Sequence, residues 1–194
     1  MPVRVSKKGL RVLGISESFQ KEKSRKSVLA GVVIRADRII DGFGATTITI
    51  GGFDATDGII RIFDIIGRTD INALMINGVI IAWFNVVDLN LLHEKLNIPT
   101  IAVTYEESQE SLKKYFQEYF PETWERKLKV YDKNGEREPI VLRTGHEVFV
   151  RYLGMSKREG KSLLDKFTIQ GSIPEPLRIS RLLARSLMKE PPAF

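Results

Sequence analysis

Three short, β-branched apolar runs occupy the first 50 residues, before any helical pattern appears. Residues 11–15 and 28–35 predict two strands. Residues 38–40 and 46–50 flank a Gly-rich segment and predict a further hairpin with its turn at residues 41–44. We therefore expect the fold to begin as an antiparallel three-stranded sheet.

Strand and helix patterns then alternate. Apolar residues recur at helical spacing from residue 56 to 66, where Asp54 or Thr56 is placed to cap the helix. Residues 73–76 and 79–83 predict strands on either side of Asn77-Gly78, a dipeptide typical of a tight hairpin turn. A helix at residues 86–96 and a buried strand at residues 97–104 follow. Strand, helix, strand order favours parallel pairing, so the sequence predicts a mixed α/β sheet.

The second half predicts further helices around a peripheral hairpin. Residues 104–107 have the capping-box pattern and predict a third helix that Pro121 ends. Residues 128–138 are polar around Asn134-Gly135, and residues 140–143 and 147–152 are short strand candidates, so we expect a peripheral hairpin there. Helices are expected at residues 156–167, with a second capping box, and at residues 174–188. The chain shows no internal repeat or linker, which predicts a single domain over residues 1–194.

The composition excludes several classes of site. The chain has no cysteine, which removes disulfide frameworks, thiolate metal sites and cysteine nucleophiles. Its longest apolar run, at residues 73–84, is shorter than the roughly 20 residues that span a bilayer. No secretion signal is evident at the N-terminus, so we expect a cytoplasmic protein with no membrane contact.

Charge is concentrated at the two ends of the chain. Residues 1–38 carry a net charge of +7, residues 39–125 carry −8, and residues 126–194 carry +7. The early basic residues are candidates for neutralising nucleic-acid phosphates: Lys7, Lys8, Arg11, Lys21, Lys23, Arg25 and Lys26. The alternative is a solvated basic loop that serves only solubility.

Four acidic residues fall near the ends of predicted elements. Glu17 ends the first strand, Asp54 and Asp57 open the first helix, and Asp88 opens the second. Two-metal phosphoryl chemistry needs carboxylates from separate elements at one place, and these residues fit that need. Helix capping alone also explains Asp54, Asp57 and Asp88.

Several strings carry a family resemblance, and they occur in order from about residue 8 to residue 188. They are Leu13-Gly-Ile-Ser-Glu17, Gly52-Phe-Asp-Ala-Thr-Asp57, Ile76-Asn-Gly-Val79, Trp83-Phe-Asn-Val-Val-Asp88, Ile98-Pro99 and Ile173-Pro-Glu-Pro-Leu-Arg178. The chain resembles the uncharacterised, largely archaeal family called domain of unknown function 99. That family is similar in fold to endonuclease V, which implies a ribonuclease H-like mixed sheet flanked by helices.

The resemblance also implies a layout for a metal site. Endonuclease V-like nucleases place acids on the first strand, near the first helix and after a buried strand, at positions that correspond here to Ser16, Asp57 and Asn77. Their lysine falls near Tyr105 and their late histidine near Leu177. Since Ser16 and Asn77 are neutral, the classical catalysis of endonuclease V is not expected, unless the neighbouring Glu17 substitutes.

Three hypotheses follow. The first is a nucleic-acid-binding endonuclease V-like domain with a degraded metal site, lined by Ser16, Glu17, Asp54, Thr56, Asp57, Asn77, Gly78, Asn85, Asp88 and Arg178. The second is an active nuclease with a rebuilt site, in which Glu17 and Asp57 hold Mg²⁺ or Mn²⁺. The third is a partner-binding module or homodimer that uses the Leu/Arg stripe of the last helix. Alternatively, that stripe is core packing, and Arg178 pairs with Glu175.

Overall fold

The computed structural model describes residues 7, 9–20, 24–107 and 112–189. The strands are β1 (Arg11–Ser18), β2 (Lys26–Arg35), β3 (Ile40–Thr49), β4 (Ala73–Ile76), β5 (Ile80–Ile81), β6 (Asn85–Val86), β7 (Thr100–Thr104), β8 (Glu138–Val141) and β9 (Glu147–Leu153). The helices are α1 (Ala55–Ile66), α2 (Leu89–Leu96), α3 (Leu112–Tyr119), α4 (Trp124–Lys133), α5 (Lys157–Phe167) and α6 (Glu175–Lys189). None of these helices combines the length and hydropathy needed to cross a bilayer.

Seven strands form one mixed sheet in the order β3-β2-β1-β4-β7-β9-β8. The first three strands pair antiparallel, as the sequence predicts. β1, β4 and β7 are parallel, which confirms the pairing expected of the strand, helix, strand segment. These three strands end together at Ser18, Ile76 and Thr104, and we call this side of the sheet the carboxyl end.

Helices cover both faces of the sheet, as the alternation of buried side chains along the strands requires. On one face, Leu13 and Ile15 of β1 belong to a core cluster that includes Ile59 and Ile62 of α1. On the other face, α6 packs along β1 and β2, and a second cluster includes Leu164 of α5. Successive residues of β1 therefore face different helices.

The hairpin predicted at residues 41–44 is wrong, because β3 runs through this segment without a turn. The turn that joins β2 to β3 lies earlier, where Arg38 adopts a positive φ of 71°. Gly44 is needed for close packing: a Cβ there would lie 3.1 Å from Ile66 and 3.2 Å from Ile62 of α1. Asp41 is engaged by Arg11.

Two further local predictions are wrong, and one helix was not predicted. β5 pairs with β6 and not with β4, so Asn77-Gly78 ends a parallel strand and does not form a hairpin with it. Thr104 belongs to β7 and donates its hydroxyl to the Phe149 carbonyl oxygen, so it does not begin a helix. The polar residues 128–133 belong to α4, a helix that the sequence pattern did not predict and that Asn134 caps. The peripheral hairpin expected from the strand candidates at residues 140–143 and 147–152 is confirmed, because β8 and β9 pair antiparallel. The capping box of Ser156 and Glu159 is confirmed.

Candidate functional site

Glu17 lies near the carboxyl end of β1, on the face that α1 covers. Its Oε2 accepts a hydrogen bond from the Ser27 hydroxyl at 2.9 Å, and the backbone N–H of Ala82 also donates to its carboxylate. Burial raises the pKa of this carboxyl above its ordinary value, against the effects of Ser27, Ala82 and the positive charge of Arg181. Glu17 is thus a half-buried acid held in a fixed position by two strands and a loop.

Ser16 lies on the opposite face, under α6. Its hydroxyl donates to the Leu177 carbonyl oxygen at 2.9 Å and accepts from the Ser180 hydroxyl at 2.9 Å. Ser16 is only 2% exposed. The side chain of residue 16 therefore faces α6 and not α1, and its hydroxyl is already bonded within that contact. The first-strand acid on the α1 face is Glu17 itself.

Asp54 organises the loop between β3 and α1. Its carboxylate accepts from the backbone N–H and hydroxyl of Thr49 and, at 2.7 Å, from the amide of Asn85. Asn85 in turn accepts from the backbone N–H of Ala55, the first residue of α1, at 3.0 Å. Burial acts to raise the pKa of Asp54, but the hydrogen bonds from Thr49 and Asn85 hold it below its ordinary value. Asp54 is ionised and already satisfied by the protein.

Thr56 and Asp88 connect the two helices on this face. The Asp88 backbone N–H donates to Thr56 Oγ1 at 3.0 Å, and the Asp88 carboxylate caps α2 by accepting from the Leu91 backbone N–H. A second carboxylate oxygen pairs with Lys133 at 3.0 Å. These contacts are structural, because they hold Asp88 at the start of α2 and join it to α4.

Asp57, Asn77 and Gly78 also lie at the carboxyl end. Asp57 is exposed in the first turn of α1. Asn77 follows β4, where its backbone N–H donates to the Ile15 carbonyl oxygen at 3.1 Å, and Gly78 takes a φ of 86° that favours glycine. Across the described residues, no group of three or more acidic or histidine side chains is placed to hold a metal ion.

The basic candidates divide between the two ends of the sheet. Arg25 and Lys26 are exposed at the carboxyl end, where Lys26 Nζ donates to Thr49 Oγ1. Arg11 begins β1 at the other end and pairs in register with Arg35, which lies roughly 30 Å from Lys26 along β2 at about 3.3 Å per residue. Arg11 is neutralised there by Asp41 at 2.6 Å and Asp70 at 3.2 Å. The structure does not bring Arg11 together with Arg25 and Lys26.

The remaining candidates are placed as follows. Lys7 is exposed and precedes β1, on the side of Arg11. Lys8, Lys21 and Lys23 lie outside the described residues. Arg178 forms hydrogen bonds to both carboxylate oxygens of Glu175, which confirms the alternative that the two residues pair.

Two residues next to the site have no signal in the sequence. Lys127 of α4 is 1% exposed and donates to three carbonyl oxygens, those of Gly51 and Gly52 at 2.8 Å and of Phe84 at 2.9 Å. Burial, assisted by the charge of Arg126, lowers its pKa to about 8. Arg126 lies over the Phe53 ring at 4.1 Å. Both are ordinary helix residues by pattern, and only the docking of α4 distinguishes them.

The positions of the endonuclease V lysine and histidine hold other side chains. Tyr105 follows β7, and its hydroxyl is buried without a hydrogen-bond partner among the described residues. Burial raises the pKa of Tyr105 well above its ordinary value, with Arg181 acting in the opposite direction. Leu177 is buried in the core.

The sequence model of the family described as endonuclease dU matches residues 8–188. This chain belongs to the endonuclease dU family. Among curated proteins, a UPF0215 protein of Pyrobaculum calidifontis is 28% identical over 89% of this chain and 93% of its own length. A UPF0215 protein of Methanopyrus kandleri is 27% identical over 97% of this chain and 96% of its own length. The resemblance to an uncharacterised archaeal family is thereby confirmed.

Solved structures place this endonuclease dU family member in the endonuclease V-like fold. A protein of unknown function from Archaeoglobus fulgidus matches with a TM-score of 0.78 and 28% identity, over 92% of this chain and 98% of that one. Endonuclease V of Streptomyces avermitilis matches with a TM-score of 0.65 and 16% identity, over 94% and 83%. Endonuclease V of Ciona intestinalis, in complex with DNA containing an inosine, matches at 0.62 and 14%, over 94% and 87%. The two endonucleases share the fold with this chain.

The fold family implies a divalent cation. Whether this endonuclease dU family member fits one depends on the oxygen ligands that its side chains can supply. Such cations favour several oxygen ligands, and carboxylates above all. Here Glu17 is held by protein donors, Asp54 is saturated by Thr49 and Asn85, and the residue after β4 is a neutral asparagine. The described residues do not fit a site built on three carboxylates.

Proposed function

We propose that this protein binds nucleic acid at the carboxyl end of its sheet, with Arg25, Lys26 and Arg126 contacting phosphates. The observation that carries this proposal is that these three cations adjoin one segment, residues 49–54, without an ion pair among the described residues. Arg11, Arg35, Arg68 and Arg178 each form an ion pair. Arg25, Lys26 and Arg126 pair with no carboxylate of the described residues, so their charge is available to a polyanion.

An aromatic side chain lies within this basic surface. Phe53 is 36% exposed in the loop between β3 and α1, and the Arg126 guanidinium and the Lys127 Nζ each lie 4.1 Å from the centre of its ring. The backbone N–H of Ile50 donates to the Arg25 carbonyl oxygen, which brings this loop against Arg25. Aromatic and arginine side chains together suit unpaired bases, since each stacked base contributes about 1–3 kcal/mol. This geometry favours single-stranded or distorted nucleic acid.

The test is fluorescence anisotropy with labelled single-stranded, duplex and branched DNA and RNA across a salt series. Arg25→Glu with Lys26→Glu should weaken binding about tenfold or more and flatten the salt slope by roughly 1.5, because each lost phosphate contact removes about 0.7–0.9. The control is the double variant Lys95→Glu with Arg158→Glu, which makes the same change in net charge at exposed residues elsewhere on the protein. An equal loss of affinity in both double variants would show that net charge alone causes the effect, and it would overturn the proposed interface.

Phe53→Ala separates stacking from charge. It should weaken binding of single strands while leaving the salt slope unchanged, because no cation is removed. If it weakens duplex and single-strand binding equally, the ring has no role with unpaired bases.

A metal-dependent nuclease is the second candidate, favoured by the name of the family. In this alternative Glu17 and Asp57, with Asp54, hold Mg²⁺ or Mn²⁺. Cleavage of labelled strands that requires the added cation and is abolished by Asp57→Asn would support it. Cleavage that survives both chelation and Asp57→Asn would come from a contaminant.

The third hypothesis is a homodimer through α6, but the apolar stripe on which it rests has a simpler explanation. Leu177 and Ala184 are buried, while Leu183 and Leu187 pack partly against the sheet. Leu182 is 52% exposed. Most of the apolar stripe is therefore core packing, and a homodimer stays a prediction to be checked by sedimentation.

A further inference from the structure

A polar cavity of about 640 Å³, widely open to solvent, lies between α4 and the β8–β9 hairpin. Its lining includes Arg137 before β8, and Phe149 and Arg151 of β9, with Tyr131 of α4. Thr104 at the end of β7 pairs in register with Phe149, so the cavity adjoins the carboxyl end of the sheet. Cavities of this volume accommodate small molecules or one unit of a polymer.

Arg151 is the feature that sets this cavity apart. The residue is 6% exposed, and it is the only arginine among the described residues that is buried. Its Nε donates to the Gly135 carbonyl oxygen at 2.7 Å, and its guanidinium lies 4.5 Å from the centre of the Tyr131 ring. No carboxylate of the described residues forms an ion pair with it, although the far more exposed Arg178 has one.

The Arg151 guanidinium is compensated only in part, because the Gly135 carbonyl oxygen and the Tyr131 ring replace some of its lost hydration but supply no anion. Its Nε bond and ring contact fix the orientation of the plane. The four N–H groups on its terminal nitrogens remain for a ligand, and they form a fork that matches two oxygens of a tetrahedral or planar anion. The site is therefore oriented before any ligand binds.

Arg137 supplies a second cation to the same cavity. Its guanidinium donates to the Glu106 carbonyl oxygen at 3.3 Å, and lies 5.8 Å from the Phe149 ring. It forms no ion pair with a described carboxylate. The acidic side chains that face the cavity, Glu107, Asp132 and Glu136, are exposed, so water screens their charge far more than that of Arg151.

We propose that this cavity binds a phosphoryl group, with Arg151 and Arg137 as its ligands. The phosphoryl group belongs either to a free nucleotide or to a nucleic-acid strand, and both present the same oxygens to the two arginines. The site is distinct from the basic surface of Arg25 and Lys26, and it does not depend on that surface being an interface.

The experiment is calorimetric titration of the full chain with inorganic phosphate, a nucleoside 5′-monophosphate, the corresponding nucleoside and a short single-stranded oligonucleotide. Arg151→Met and Arg137→Met should each weaken binding of the phosphorylated probes about tenfold or more. Arg158→Met is the matched control, since it removes the same charge from an exposed helix position. Thermal melting shows that each variant is folded, and the half-buried Arg137 keeps the test valid if Arg151→Met does not fold.

The outcomes separate the two sources. Mononucleotide binding that is lost in both pocket variants assigns the cavity to free nucleotides. If oligonucleotide binding depends on both arginines and mononucleotide binding does not, the cavity binds a phosphate of a nucleic-acid strand. The Arg25→Glu, Lys26→Glu variant should keep phosphate binding even where it loses the oligonucleotide. Probes that bind both pocket variants as tightly as the unchanged protein, or that are weakened equally by Arg158→Met, would overturn the proposal.

Discussion

Lys127 donates a hydrogen bond to the carbonyl oxygen of Phe84 at 2.9 Å, and this contact fixes α4 to a loop of unusual backbone. Ala82, Trp83 and Phe84 have φ values of 42°, 52° and 65°, a left-handed run that costs of the order of 1 kcal/mol or more per residue. Ala82 of the same run donates to Glu17. The buried lysine thus supports the loop that holds the site's acid.

A comparison of the unchanged protein with Lys127→Met should show how the titration of Lys127 contributes to the pH dependence of the free energy of unfolding. The folded pKa of about 8 lies below the ordinary 10.5, so the unfolded chain binds the proton more tightly. Stability of the unchanged protein should therefore rise between about pH 8 and pH 10.5, by on the order of 2–3 kcal/mol. Urea unfolding at pH 7, 9 and 10 measures this rise. A rise of the same size in Lys127→Met would assign it to other groups.

Glu17→Gln tests the acid at the carboxyl end. Because burial raises its folded pKa, the stability of the unchanged protein should fall as the pH rises from about 4.5 through that folded pKa. The amide keeps one oxygen as an acceptor for Ser27 and Ala82, so the variant should be more stable than the unchanged protein at pH 7 and lose that advantage at pH 4. Urea midpoints at the two pH values check this. Lower stability of Glu17→Gln at pH 7 would show that the ionised carboxylate is stabilising.

The same variant separates the two functional candidates. If the carboxyl end only binds phosphates, Glu17→Gln should bind nucleic acid at least as tightly, because one negative charge has been removed. If Glu17 serves a nuclease, cleavage is lost while binding is retained.

Ser16→Asp should destabilise the protein by about 3 kcal/mol or more, because a carboxylate replaces a hydroxyl beneath α6. Ser16→Ala is the control and should cost about 1 kcal/mol for its lost hydrogen bonds. Since position 16 faces away from α1, added Mn²⁺ should not restore the melting temperature of Ser16→Asp. A large Mn²⁺-dependent rise would show that this side chain reaches a cation site after all.

Gly14→Ala tests the docking of α6 on β1. A Cβ at residue 14 would lie 2.4 Å from backbone atoms of Pro176, which cannot yield as a flexible side chain does. We expect a loss of about 3 kcal/mol in the free energy of unfolding. Gly9→Ala, where a Cβ meets nothing within 4 Å, should be close to neutral. Equal stability of the two variants would mean that α6 shifts freely along the sheet.

The sequence predicts more of the fold than of the candidate site. Strong periodicity in β1, α1 and α6 predicts these elements correctly, because their buried faces are continuous. The glycines of β3 misled the prediction of a hairpin, since Gly44 serves a helix contact that only tertiary structure reveals.

The site depends on which way each strand residue faces and on distant partners. Ser16 and Glu17 are consecutive residues of β1 and therefore face opposite sides of the sheet, and no local pattern decides which of them faces α1. Lys127 and Arg151 have ordinary sequence surroundings, and their burial results from the packing of α4 against loops and strands far away in the chain. Such groups become visible only when those contacts are known.

The contact between Ser16 and Leu177 spans 161 residues of the chain. Translation at about 5–20 residues per second therefore separates the synthesis of the two partners by roughly ten to thirty seconds. During that interval β1 and β2 have emerged, but the helix that covers one of their apolar faces has not been made. The first half of this sheet is thus exposed on the ribosome until nearly all of residues 1–189 have been synthesised, and its final packing is a late event in the life of the chain.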